Sequence, residues 1–411
     1  MVLDVKEKLN KVDWTFRNIK AKEGIHGLHS YPAMMAPPVA KKLISELTEE
    51  GDWVLDPFCG SGTVLTEAIL LNRKAVGYDI NPLALLIAKV KTTPLPPKRL
   101  IKALFEIEER IRDQGIPQDI PDFFNIEYWF KPEVITNLTK LKAAIEAEED
   151  EDVRDFFRLV FARVVRQTSN TRGNEFKLFR LPPEKLKFYK PDVFASFRAI
   201  ALECISKMGE FYSSMNGIQP EVDIRLHDSR TPLPLSQMVS LMLTSPPYGD
   251  SKTTVAYGQF SRLALQWLGM WEKNVDRESL GGKPTKLDSE PPSLKEALNR
   301  IREIDNRRAK EVEAFYQDLF LCLKNIAQVI IPGGFAVFVI ANRKVKGITL
   351  PSDRIIVEMM EPFGFSYLET FHRDIPNKRM PLRNSPSNIP GETDITMLRE
   401  YIVLLRKEVK R

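Results

Sequence analysis

The chain is poor in the residues that build disulfide frames and structural metal sites. Its 411 residues hold three cysteines, Cys59, Cys204 and Cys322, and four histidines, His26, His29, His227 and His372. The cysteines are odd in number and scattered, with no C-x-x-C pair and no Cys/His cluster. A reducing compartment is expected, with no disulfide frame and no metal. Long apolar runs are also missing. The most apolar stretch, 329–341, is broken by Pro332, Gly333 and Gly334, well short of the ~20 residues that a membrane span needs. Residues 1–11 are charged where a signal peptide would carry its apolar region, so no membrane role and a cytoplasmic location are expected. Nor is there a strong charge of one sign. Against 60 Lys and Arg stand 55 Asp and Glu, and the net charge of +5 is too small to name a polyanionic partner by itself.

What is present is enough apolar residue, 43% of the chain, to bury a sizeable core in two or three structural units. Short apolar runs that end in turn residues alternate with helical patterns, which is how buried parallel strands joined by helices read. Strands are predicted at Trp53–Asp56, 75–79, Val222–Leu226, 240–244 and 335–340, with two more at 364–368 and 401–405. More than 140 residues separate the second strand from the third, far beyond the dozen or so that a crossover requires, so an inserted domain is predicted there. The proline-rich run Thr93-Pro94-Leu95-Pro96-Pro97 marks its start, and 100–111 and 134–147 have helical spacing, so 96–219 should be mainly helical, dividing a catalytic domain of 1–95 and 220–411. A second insertion, 271–313, combines Gly281-Gly282, Pro284 and Pro291-Pro292 with dense mixed charge. It reads as a mobile excursion followed by a solvated helix.

Two motifs carry chemistry. Asp56-Pro57-Phe58-Cys59-Gly60-Ser61-Gly62-Thr63 follows a predicted strand and opens a helix over 64–71. Gly60 and Gly62 remove side chains where the backbone must turn tightly and approach a ligand, and the helix start offers free amides. Asp79 follows Asp56 by 23 residues, near the ~20-residue offset at which a carboxylate takes ribose hydroxyls, so Asp79 and the adjacent Ile80 are assigned to a cofactor. The second motif, Thr244-Ser245-Pro246-Pro247-Tyr248-Gly249, stands directly after an apolar strand, at the edge of the sheet where ligands bind. Two consecutive prolines withhold two N–H donors and hold the Ser245 and Pro246 carbonyls rigidly. Rigid acceptors beside an aromatic ring suit the exocyclic amine of a nucleobase. Tyr248 would stack on the base while the Ser245 oxygen and the Pro246 carbonyl accept the amine protons.

These two motifs resemble those of the S-adenosylmethionine-dependent amino-methyltransferases of nucleic acids, and Ser-Pro-Pro-Tyr is similar to the form found in enzymes that methylate N4 of cytosine. The resemblance covers 60–95 and 220–260 well, the last hundred residues loosely and the insertion hardly at all. It implies an α/β fold with a Rossmann-like class I methyltransferase sheet, mostly parallel with the last strand antiparallel, and S-adenosylmethionine as cofactor. His29-Ser30-Tyr31-Pro32-Ala33-Met34-Met35 is similar to the family's upstream motif, which implies that Tyr31 covers the cofactor. Asp228 matches a position near the adenine. The implied site is therefore Tyr31, Asp56, Pro57, Phe58, Gly60, Gly62, Thr63, Asp79, Ile80, Asp228 and Ser245 for the cofactor, with Ser245, Pro246, Pro247 and Tyr248 for the reaction. Carbon-5 methylation is excluded because it needs a Pro-Cys pair where this chain has Pro247 and Tyr248.

The target follows from local charge. Between Arg163 and Arg198 nine Lys and Arg face three acids, interleaved with Phe176, Phe179, Phe188, Tyr189, Phe194 and Phe197, so phosphate contacts and stacking platforms could come together. Arg172, Lys177, Arg180, Lys187 and Lys190 are the expected phosphate ligands. A second basic loop, 372–384, adds Arg373, Lys378, Arg379 and Arg383. The motif order and the large helical insertion resemble archaeal enzymes that methylate N4 of a cytidine in 16S ribosomal RNA, so small-subunit RNA is the leading expectation. The alternatives are a DNA N4-cytosine or N6-adenine methyltransferase and a nucleic-acid-binding protein without catalysis; the tRNA guanine-N2 enzymes share the glycine loop but carry a long RNA-binding domain before it, for which a loop at Asp56 leaves no room, so that reading is not expected.

Overall fold

The computed structural model describes residues 2–17, 23–113, 119–173, 175–249, 255–270, 275–283, 290–375, 383–384, 394–395 and 399–409. Seven strands form one sheet: β1 (Trp53–Asp56), β2 (Lys74–Asp79), β3 (Val222–Leu226), β4 (Val239–Thr244), β5 (Ile330–Ile340), β6 (Phe365–Asp374) and β7 (Arg399–Lys407). They lie in the order β3-β2-β1-β4-β5-β7-β6. The first five run parallel to their neighbours, and β7 is antiparallel to both β5 and β6. This is a Rossmann-like, mostly parallel sheet with the last strand of the chain antiparallel, as expected.

The strands are apolar almost throughout because both faces are covered. Val54, Ala75, Leu241, Leu243, Val337, Val339, Ile402 and Leu404 enter one hydrophobic cluster, and Leu55, Val76, Met242, Ala336, Phe338, Ile340, Val403 and Leu405 enter the other. That period of two is the strand pleat written into the core. Helices Asn306–Val329 and Ser352–Met360 cover the second face, and Pro37–Leu47, Thr63–Leu70 and Pro82–Thr92 cover the first. Several of the prolines that punctuate the sequence start helices. Helices beginning at Pro37, Pro82, Pro97, Pro132, Pro183 and Pro292 carry proline in the first turn, where its missing N–H is not needed.

Between β2 and β3, after helix Pro82–Thr92, the chain adds Pro97–Arg112, Pro132–Glu146, Glu151–Thr168 and Val193–Ser214. These helices share the apolar cluster of the first face, and Phe156, Phe157 and Phe161 are fully buried in it. Trp267, at the end of helix Tyr257–Leu268, is buried against Phe130 and Phe161 with ring centroids 5.5 and 6.2 Å apart. The added helices are thereby packed directly onto the helix that follows the Ser-Pro-Pro-Tyr motif.

Two expectations change. β5 and β6 are longer than their apolar runs suggest. β5 begins ahead of Pro332 with a register shift against β4, and the sheet-edge strand β6 alternates apolar residues with Glu369, His372 and Asp374, a pattern that hides a strand with one wet face. The helix expected to be solvated, Pro292–Ile304, instead buries Leu294, Ala297, Leu298 and Ile301 against Asn306–Val329 and Ser352–Met360. Its charges occupy only the outer face. Leu298→Ala should therefore lower the unfolding free energy by about 2–4 kcal/mol in a denaturant titration, whereas a solvated position would lose less than about 0.5 kcal/mol.

Candidate active site

Four parallel strands release their chains at one edge of the sheet. Asp56 ends β1, Asp79 ends β2, His227 and Asp228 follow β3, and Ser245 follows β4. Between them lies a cleft of about 910 Å³, part of it open to solvent. It sits where the strand order reverses, with β1 followed by β2 on one flank and β4 by β5 on the other, the position at which open α/β sheets bind ligands.

The glycine loop forms its floor. Gly60 has a φ of +47°, a left-handed conformation that favours glycine, and its amide donates to Asp79 Oδ2 at 2.9 Å. The Asn81 amide donates to the other oxygen at 2.8 Å. Burial raises the Asp79 carboxyl to about 6, with the amides of Asn81, Gly60 and Ile80 opposing that rise. Asp56 is buried deeper and is raised to about 7 by burial, although its carboxylate accepts from the Thr244 hydroxyl at 2.6 Å and the Phe58 amide at 3.2 Å. Pro57, Phe58, Gly60, Thr63 and Ile80 all line the cleft. Gly62 does not. A Cβ there would lie 2.8 Å from that of Ala88, so this glycine lets the loop pack on helix Pro82–Thr92 rather than approach a ligand. Beneath the loop, buried Lys91 donates to the Ser61 carbonyl at 2.8 Å, and burial lowers its pKa to about 7.

Tyr31 covers one side. Its ring is buried, stacks on Tyr257 at 5.7 Å and receives a hydrogen bond at its hydroxyl from Asn81 Nδ2 at 3.0 Å. Tyr257 and Asn81 line the cleft but were not foreseen. Asn81 could have been, because Asn81-Pro82 is a helix-start signal and the Asn81 side chain does cap that helix, accepting from the Leu83 amide. Residues 278–280 also line the cleft, and no sequence signal marks them within the mixed-charge excursion. Asp228 lines the cleft too, but its carboxylate is taken by Arg230, whose Nη2 and Nε donate at 2.7 and 2.9 Å. Burial would raise the Asp228 carboxyl, and Arg230 outweighs it and pulls the pKa down. Asp228 is therefore a clamp on Arg230. That arginine also reaches Asp318 and the Glu278 carbonyl, and the Asp318 carboxylate receives the Gly281 amide, so one network fastens the covering segment.

Of the catalytic motif, Ser245 and Pro247 line the cleft, while Pro246 and Tyr248 lie outside its lining. The Ser245 hydroxyl donates to the Tyr248 oxygen at 3.2 Å, and the Tyr248 hydroxyl donates to Glu400 at 3.2 Å. Burial, reinforced by the Glu400 charge, pushes the Tyr248 pKa far up, so it keeps its proton. Cys59 is buried and its thiol is also pushed well up, chiefly by burial, which leaves it no thiolate character.

The expected nucleic-acid ligands divide. Lys177, Lys187 and Lys190 are exposed, as are the rings of Phe176, Phe179 and Phe188, the last 80% accessible. Arg172 lies over the Phe179 ring and pairs with Glu175 at 3.4 Å, and Arg180 lies over the Tyr128 ring at 4.2 Å. This surface reaches the cleft, because Phe176 packs on Phe260 and Phe260 packs on Tyr31. Arg373 is different. It sits on β6 rather than in a loop, is buried, and is ion-paired with Glu400, so it is not placed to meet a phosphate. Lys378 and Arg379 fall outside the described residues, and Arg383 lies in a two-residue strand paired with Asp394–Ile395.

The cleft suits S-adenosylmethionine. Each Asp79 oxygen keeps a lone pair beyond its backbone donor for ribose hydroxyls, Gly60 leaves open the space beside Tyr31, and Met34, Met35 and Leu280 supply apolar wall. Ribose hydroxyls need the ionised carboxylate, so cofactor affinity should fall as pH drops through about 6. Calorimetry on Asp79→Asn should show affinity about tenfold or more weaker at neutral pH and no such step. A wild-type affinity flat across that range contradicts the assignment.

The model for the DNA methylase family of N6 and N4 enzymes matches residues 3–90. The chain is 39% identical to the type II methyltransferase M.MvaI of Kocuria varians over 431 aligned positions, which cover 96% of this chain and 94% of that protein. It is 26% identical to the type II methyltransferase M.MjaII of Methanocaldococcus jannaschii over 201 residues, 46% of this chain and 38% of that protein. A stretch of 52 residues is 44% identical to the tRNA (guanine(10)-N2)-dimethyltransferase of the same organism, 12% of this chain and 15% of that protein. The likeness to a tRNA enzyme is confined to a short stretch, whereas the likeness to a type II enzyme runs the length of the chain. These relatives lend the expectation of ribosomal RNA no support. With a complete glycine loop, a paired Asp79 and a relative that matches from end to end, the chain belongs to the N6/N4 DNA methylase family of nucleic-acid methyltransferases, with S-adenosylmethionine as its methyl donor.

Proposed function

We propose that the protein methylates the exocyclic N4 amine of a cytosine in DNA. The observation that carries this reading is Ser245 at the cofactor cleft, at the head of Ser-Pro-Pro-Tyr and in the same lining as Asp56 and Asp79. The choice of DNA over ribosomal RNA rests on the end-to-end likeness to M.MvaI together with the DNA methylase model.

S-adenosylmethionine would supply a methyl group on a sulfonium: the C–S bond breaks as the C–N bond forms, the positive charge passes to the attacking nitrogen, and that nitrogen then releases one of its hydrogens as a proton to water. Cytosine N4 is a weak nucleophile because its lone pair is delocalised into the ring. Ser245 Oγ and the Pro246 carbonyl accept the two amine hydrogens, draw the lone pair out of conjugation and stabilise the charge that develops on nitrogen. Pro246 and Pro247 keep those acceptors fixed, so little reorganisation accompanies the reaction. The Tyr248 ring, anchored through its hydroxyl, forms the wall on which the base lies. No covalent nucleophile takes part, in keeping with a buried, protonated Cys59.

The insertion, 96–219, is the target-recognition unit in this reading. A base must leave the duplex to reach Ser245, and the exposed lysines and phenylalanines of 172–190 give the displaced strand both phosphate contacts and stacking surfaces.

Ser245→Ala should lower single-turnover methyl transfer to duplex DNA by ~10-fold or more while cofactor binding stays near wild type. Unchanged turnover removes Ser245 from the reaction. Replacing Lys177, Lys187 and Lys190 together by alanine should weaken DNA binding and reduce the slope of log affinity against log salt by about 3, since each phosphate contact contributes about 0.9. A slope that does not change places the DNA elsewhere.

A further inference from the structure

A serine hydroxyl both donates and accepts, so Ser245 could meet an amine in either sense, and only the accepting sense helps methylation. The structure holds a device that selects one. Glu400 is the second residue of β7. Because β7 is antiparallel to β5, its start lies at the edge where β4 and β5 end, beside the catalytic motif. Its direct cross-strand partner on β6 is Arg373, whose guanidinium pairs with one Glu400 oxygen and also donates from Nε to the Trp14 carbonyl at 3.0 Å. The other Glu400 oxygen receives the Tyr248 hydroxyl at 3.2 Å. A carboxylate offers lone pairs and no hydrogen. Tyr248 has one hydrogen, and Glu400 takes it. The Tyr248 oxygen is then an acceptor, and the single hydroxyl hydrogen of Ser245 goes to it, at 3.2 Å.

We infer that Glu400 is a positioning residue. Held by Arg373 and acting through Tyr248, it turns the Ser245 hydrogen away from the cleft and presents the Ser245 lone pairs to the amine. The inference rests on the reading of Ser245 as the acceptor of an amine hydrogen. A role in the fold alone explains the group poorly, because an ion pair largely withdrawn from water contributes little stability over a well-packed apolar pair. The chain keeps a partly buried carboxylate where an apolar residue would hold the strands as well.

Glu400→Gln keeps the shape but can donate an amide hydrogen to Tyr248, which reverses the chain of hydrogens and turns the Ser245 hydrogen toward the amine. The rate is measured as labelled methyl transferred to DNA, whichever base receives it. For Glu400→Gln, kcat should fall about tenfold or more, with the KM for S-adenosylmethionine and the Kd for DNA within about twofold of wild type. Glu400→Asp should recover part of the loss. Tyr248→Phe keeps the ring, leaves the ion pair intact and should show a loss of the same order. In that background, Glu400→Gln should add less than about twofold, the mark of two residues acting along one path. Wild-type kcat in Glu400→Gln or in Tyr248→Phe overturns the inference, and so does an undiminished effect of Glu400→Gln in the Tyr248→Phe background. Methyl recovered on a group other than an exocyclic amine overturns the reading of Ser245 instead, while the coupling between Glu400 and Tyr248 is still read from the same rates.

Discussion

The hydrogen bond from the Gly60 amide to the Asp79 carboxylate ties the loop that leaves β1 to the end of β2. It can form only if Gly60 adopts its left-handed backbone and if β1 and β2 stand in the observed register, with Asp56 opposite Gly77. From the other side Lys91 grips the Ser61 carbonyl, and Gly62 lets the loop settle onto Ala88. A loop fastened in this way leaves the cofactor no slack in one direction. The next strand inward, β4, delivers Ser245 to the same cleft, so the glycine loop and the residue proposed to accept the amine are placed by adjacent strands of one sheet. Two carboxyls, Asp56 and Asp79, are buried against their preference, and both are raised by that burial. That cost is local and is carried by the core on either face of the sheet.

Much of this was legible in the residues. Apolar runs with turn residues at their ends located the strands because strands covered on both faces need apolar residues at every position. The glycine loop, Asp79 and Ser-Pro-Pro-Tyr were legible because each is a backbone constraint expressed locally. Less legible were the features that depend on what packs against what. The Leu294, Leu298 and Ile301 stripe was masked by dense charge on the opposite face of the same helix. Arg373 looked like part of a basic loop, since it stands between the polar residues His372 and Asp374 and its partner, Glu400, is distant along the chain. Gly62 and Gly60 look alike in sequence, yet one meets a helix and the other faces the cleft. Asp228 lines the cleft as expected, but its ion pair with Arg230, two residues on, could not be read from the sequence.

The antiparallel last strand gives the site its depth. A parallel strand would bring its carboxyl end to the cleft, whereas β7 brings its beginning, and with it Glu400 against the Arg373 end of β6. The farthest strands of the sheet are thereby connected to the hydroxyl of Ser245. On the opposite side, the helices added between β2 and β3 share the core of the first face and interlock with Trp267. They carry an exposed aromatic and basic surface up to the wall formed by Tyr31 and Phe260. The glycine loop, Ser245 and the exposed aromatic and basic surface thus meet around a single cleft.

The central claim is that an exocyclic cytosine amine in DNA is the methyl acceptor. The most direct measurement incubates the protein with labelled S-adenosylmethionine and, separately, duplex DNA, tRNA and small ribosomal subunits, then digests each polymer to nucleosides. Label is expected in N4-methyldeoxycytidine from the duplex. Label confined to ribonucleosides, or carried in DNA by adenine alone, would contradict it.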